Sequence, residues 1–132
     1  MMNPVERSFE LAAERCSDLT PLVYRRLHLA HPETRAMFRS EGSELVEGSM
    51  LALTTEAILD FAGERGGKFR IIECELASHD AYGTPRYLFA SFFGVIAQTL
   101  REVLGGDWSQ EIDDAWQKLL RELEAVVARG EA

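Results

Sequence analysis

The sequence has only two cysteines, Cys16 and Cys74, and no CxxC pair. A thiolate metal site is not expected from that pattern; two reduced, mostly buried thiols are. It lacks a basic stripe. Arg25 and Arg26 form the longest basic run in a chain of net charge −8. That balance argues against nucleic-acid binding through phosphate neutralisation, and an anionic membrane surface would repel the chain. No stretch approaches the ~18 uninterrupted apolar residues of a membrane span. The segment from Met1 to Glu6 has no basic start followed by an apolar run. A cytoplasmic protein is the expectation.

Several catalytic signatures are missing too. No serine sits in a GxSxG elbow. Gly66 and Gly67 follow a helical segment rather than a strand, so they do not make a phosphate loop. Ser78 directly precedes His79, but neighbouring helical residues point in different directions and form no nucleophile–base pair. The carboxylates are scattered over polar faces, and no acid–base pair is marked. No segment alternates polar and apolar residues over a useful length, so no strand is expected.

What is present is an ordinary globular composition: 132 residues, 46% apolar and 27% charged. One domain over 1–132 is expected, large enough to bury roughly two thirds of its unfolded surface without a disulfide. The apolar period is helical. Ile112, Ala115, Trp116, Leu119, Leu120, Leu123, Val126 and Val127 follow the i, i+3, i+4, i+7 rule without a miss. Met50, Leu51, Thr54, Ala57, Ile58 and Phe61 repeat it, as do Leu88, Phe92, Val95, Ile96, Leu100 and Val103.

Helix starts are signalled where Asn3, Thr20 and Thr84 each precede a proline, and where Asp107 with Gln110, or Ser109 alone, can cap the last segment. The spacing predicts seven helices, at about 4–17, 20–31, 32–38, 44–63, 69–81, 85–104 and 108–129. His31 and Pro32 join the second and third with no loop, and proline forces a change of direction there. Two short helices meeting at a corner do not suit an up-and-down four-helix bundle.

Three histidines are available. His28 and His31 lie one turn apart with no acidic or thiolate partner at turn spacing, and read as surface and helix-end residues. His79 shares its face with Ile72 and Leu76. By periodicity alone it is a core histidine.

Two stretches resemble the single-domain bacterial globins and the haemoglobin domain of flavohaemoglobins. The first runs from Val23 to Phe38 (VYRRLHLAHPETRAMF), with the family's tyrosine, leucine, HPE and final phenylalanine. The second runs from His79 through Tyr82 and Gly83 to EVLG at 102–105 and DAW at 114–116. Together they cover nearly the whole chain. The resemblance implies an all-α globin fold of about seven helices around a haem pocket, with haem b as cofactor. His79 matches the proximal histidine that ligates haem iron, and Phe38 matches the phenylalanine stacked on the macrocycle. Tyr24 matches the distal tyrosine, whose hydroxyl donates a hydrogen bond to a bound gas. Leu51 matches an apolar distal residue, and Tyr82 beside the proximal turn counts among the cofactor-binding residues. The distal polar position falls on Glu47 when counted back from His79 and on Gly48 when counted forward from Phe38. Neither reproduces the glutamine common in the family.

Two further departures stand out. Glu75 occupies a place one turn before His79 that is usually apolar. Phe89 stands where flavohaemoglobins have a tyrosine that pushes on the proximal histidine. The sequence holds no reductase domain, which disfavours a self-contained nitric-oxide dioxygenase and leaves peroxidase or nitric-oxide chemistry as an accessory activity, with a separate reductase as a partner. The implied function is reversible binding of dioxygen, nitric oxide or carbon monoxide for transport, storage or sensing, with no nucleic acid, no membrane and a homodimer left open. The alternative is a globin-fold module that has lost haem and works in regulation or interaction.

Overall fold

The computed structural model describes residues 2–38, 43–63, 70–81 and 83–129. They form α1 (Pro4–Arg15), α2 (Thr20–Ala30), α3 (Thr34–Met37), α4 (Ser43–Ala62), α5 (Arg70–Ala81), α6 (Arg86–Leu104) and α7 (Gln110–Arg129), with a 3₁₀ turn at Gly105–Asp107. Among the described residues there is no strand. The expected all-α class is observed, and the helix bounds follow the apolar period closely.

The caps are partly as expected. Asn3 Oδ1 accepts from the Glu6 amide at 2.9 Å and starts α1. Ser109 Oγ accepts from the Ile112 amide at 3.2 Å and starts α7. Thr20 instead lies inside the first turn of α2, and Asp18 takes the acceptor's part: its Oδ1 receives the Thr20 amide at 3.0 Å. Hydrogen bonds from Thr20, side chain first and amide second, hold the Asp18 carboxyl below its ordinary range. Thr84 makes no capping bond to α6.

α6 is the central element, packed against α1, α2, α5 and α7. The stretch Arg86–Asp107 is long and apolar enough by length and composition to cross a bilayer, and half of it is buried among the other helices. Ile96 and Leu100 on α6, Trp116 and Leu123 on α7, and Ala12 on α1 meet in the core. Trp116 is fully buried, and its indole Nε1 donates to Ser8 Oγ at 2.9 Å. Ser8 in turn donates to the Val5 carbonyl at 2.6 Å. Both buried groups are thereby satisfied, as burial requires. The C-terminus of α6 is capped from α1: the Arg15 guanidinium donates to the Leu104 and Val103 carbonyls at 2.6 and 3.1 Å and pairs with Asp107.

The two thiols depart from expectation. Cys16 is half-buried and Cys74 is exposed. Cys74 falls two residues from the buried Ile72 and Leu76, which turns it to the outer face of α5.

Candidate functional site

α4, α5 and α6 do not close on one another completely. Together with the α2–α3 corner they line a largely apolar, partly open cavity of about 520 Å³. That volume is in the range of small-molecule and cofactor pockets. From α4 the lining residues are Val46, Met50, Leu53, Thr54 and Ala57, which share one helical face. Leu88, Phe89, Phe92 and Phe93 line it from α6, and Leu27, Thr34, Met37 and Phe38 from the corner. The α5 side carries Ile72, Glu75, Ser78 and His79.

His79 is the single histidine on this lining, and its orientation is fixed twice over. First, its ring Nδ1 lies 2.7 Å from the Glu75 backbone carbonyl. A carbonyl only accepts, so Nδ1 carries the proton and, in the neutral ring, Nε2 keeps its lone pair. Second, the end of α5 is locked by a double turn. The Thr84 amide donates to the His79 carbonyl at 2.9 Å and the Gly83 amide to the Asp80 carbonyl at 3.0 Å. Gly83 sits at φ 84°, the left-handed conformation such a helix end needs. Phe89 meets the His79 ring edge-on, with centroids 5.1 Å apart. The Glu75 carboxylate is 3.8 Å from Nδ1. A histidine whose far nitrogen is anchored to a backbone carbonyl, and whose near nitrogen is free to act as a Lewis base, is the arrangement found around protein-bound metals.

Of the residues expected from the sequence, His79 and Phe38 line the cavity. Tyr24 lies just behind the lining, buried, with its ring 5.3 Å from Phe38 and 5.6 Å from Phe92. Its hydroxyl donates to the Glu47 backbone carbonyl at 3.0 Å. Burial, with the Glu47 carboxylate as the lesser cause, raises its pKa well above that of an ordinary tyrosine, so the hydroxyl keeps its proton.

Leu51, Glu47 and Gly48 are not on the lining face of α4. Leu51 packs into the hydrophobic core. The Glu47 carboxylate turns to His28, 3.8 Å from Nε2. Gly48 has open space where a Cβ would stand. Tyr82 lies outside the described residues.

Met37, Met50, Thr54 and Phe93 are lining residues that the sequence reading had not singled out as site residues. α4 explains the miss. Met50, Thr54 and Ala57 line the cavity while Leu51, Ile58 and Phe61 join the core, so this helix buries two adjoining faces and its periodicity alone does not say which meets the cavity.

His28 is more structural than its sequence context suggested. Its Nδ1 is 2.7 Å from Thr34 Oγ1, and that hydroxyl donates to the His31 carbonyl at 2.7 Å, pinning the α2–α3 corner. The His31 ring lies 5.8 Å from that of Tyr87, tilted by 60°, with Glu33 at 3.6 Å. The two histidines do not converge, and among the described residues no group of three or more His, Cys, Asp or Glu side chains is arranged to hold a metal ion. Comparison with family models, with curated proteins and with solved structures gave no match.

Proposed function

We propose that the chain is a haem-binding globin that takes up a diatomic gas reversibly, with His79 as the residue that ligates the iron. The observation that carries this reading is the state of His79. Its Nδ1 is anchored to the Glu75 carbonyl, its Nε2 is left as the only coordinating nitrogen, and it borders an apolar cavity of cofactor size.

The surrounding residues fit the chemistry of haem b. Phe38, Phe92, Phe93, Met50 and Leu88 offer apolar surface for a flat macrocycle. Phe89 restrains the imidazole. When bound, haem supplies an open coordination position for the gas. The protein's part is to hold the imidazole, exclude water and shape the approach. The α2–α3 corner and the Phe38 at its end accord with the sequence resemblance to globins.

The test is titration of the purified chain with haemin. The expected result is a Soret band that grows to one equivalent and that His79→Ala weakens or shifts. A chain that stays colourless sinks the reading and leaves a haem-free interaction or regulatory module in its place. The half-buried Glu75 carboxylate beside His79 is the observation that favours that second reading, because a charge at the rim of the cavity weakens apolar cofactor binding.

A further inference from the structure

We infer that the cavity selects against dioxygen and favours carbon monoxide and nitric oxide, because among the described residues no side-chain hydroxyl on its α2–α4 side is free to donate a hydrogen bond to a gas. This rests on the haem reading above and specifies its ligand class. Each hydroxyl has one proton to give. The proton of Tyr24 goes to the Glu47 carbonyl at 3.0 Å. Thr54 Oγ1 donates to the Met50 carbonyl at 2.7 Å. Thr34 Oγ1 donates to the His31 carbonyl at 2.7 Å and is left to accept from His28. The other described lining residues on that side are Leu27, Met37, Phe38, Val46, Met50, Leu53 and Ala57, none of which has a side-chain donor.

The remaining polar lining residues, Glu75, Ser78, His79 and Thr84, belong to α5 and the turn that ends it. If His79 held the haem, that side would be taken up by its imidazole. Dioxygen draws electron density from its binding partner and gains from a nearby donor. Carbon monoxide and nitric oxide gain far less. Donor supply opposite the imidazole is one of the properties that decide how a haem pocket treats dioxygen. The family pattern assigns Tyr24 as that donor. In this chain its hydroxyl is tied to the backbone of α4, where it serves as a strut between α2 and α4.

The experiment measures dioxygen and carbon monoxide dissociation constants for the ferrous, haem-loaded chain, for Tyr24→Phe, and for Leu53→Gln, which adds a donor to the lining. Tyr24→Phe is expected to change dioxygen affinity by less than about twofold and to leave the C–O stretching band in place. Leu53→Gln is expected to tighten dioxygen by roughly tenfold, the ratio a net hydrogen bond corresponds to, with little change for carbon monoxide. In the haem-free chain, the Tyr24 hydroxyl proton is expected to give a resolved, slowly exchanging NMR resonance. A tenfold or greater loss of dioxygen affinity in Tyr24→Phe, with carbon monoxide unchanged, overturns the inference alone. So does a fast-exchanging Tyr24 hydroxyl. Absence of any His79-dependent Soret band overturns the haem reading and this inference together.

Discussion

Tyr24 shows how the role of a side chain can depend on one backbone contact. The resemblance to bacterial globins implies a donor to a ligand, whereas in the fold its hydroxyl serves the Glu47 carbonyl. The consequence for stability has a definite sign. Burial raises the pKa of Tyr24 in the folded chain, whereas an unfolded tyrosine titrates near pH ~10. The unfolded state therefore loses its proton first as pH rises. The stabilisation is fully present below about pH 10 and is lost progressively above it. Tyr87 shifts in the same direction, chiefly through its hydrogen bond to Glu33. Urea unfolding at about pH 8 and about pH 11 is expected to show a marked loss of stability in the wild type and in Tyr87→Phe, and a clearly smaller loss in Tyr24→Phe. At neutral pH Tyr24→Phe itself is expected to cost about 1 kcal/mol. An unchanged alkaline slope in Tyr24→Phe contradicts this account.

At the scale of elements, the turn after α5 fixes the position of His79. The His79 carbonyl accepts from Thr84 across the same turn whose glycine adopts φ 84°. A Cβ at Gly83 meets no atom within 4 Å, so any penalty for Gly83→Ala comes from the backbone conformation and not from a clash. A loss of about 1 kcal/mol in chemical denaturation is expected, together with weaker haemin uptake as the turn loosens. Full stability in Gly83→Ala shows that the turn does not need the left-handed conformation.

The helices themselves were legible in the sequence. In α7 one apolar stripe faces one core, so period and burial agree from Ile112 to Val127. The α2–α3 corner was legible from Pro32, which admits few alternatives. The cavity-lining face of α4 was not legible, because cavity and core are both apolar and lie on adjoining faces of the same helix. The capping of α2 was not legible from Thr20 and Pro21, because Asp18 reaches over them.

At the scale of the molecule, the cavity lies beside the core that α1, α6 and α7 build. α1, α6 and α7 share Trp116, Ile96 and Leu100. α4 and α5 pack against each other beside the cavity and leave its volume open. A ligand that fills it and binds only the folded chain should stabilise the fold by mass action. Haemin at a hundred times its dissociation constant is expected to add about 2.7 kcal/mol to the unfolding free energy. His79→Ala should lower that gain at the same haemin concentration while leaving the haem-free chain nearly as stable as the wild type. Equal stabilisation of both proteins shows that haemin does not engage His79.

For His79, periodicity gives a helical histidine on an apolar face, and the resemblance to bacterial globins, carried by its spacing to Gly83, Gly105 and Trp116, makes it the candidate ligand. What sequence spacing does not contain is the tautomer, which follows from the 2.7 Å contact to the Glu75 carbonyl. The most direct measurement is the absorption spectrum of the ferrous, ligand-free protein for wild type and His79→Gly, with and without added imidazole. The account predicts a strong Soret band in the wild type, its loss or displacement in His79→Gly, and recovery of the wild-type spectrum when imidazole occupies the vacated space. A wild type without haem, or a spectrum that His79→Gly leaves unchanged, contradicts it.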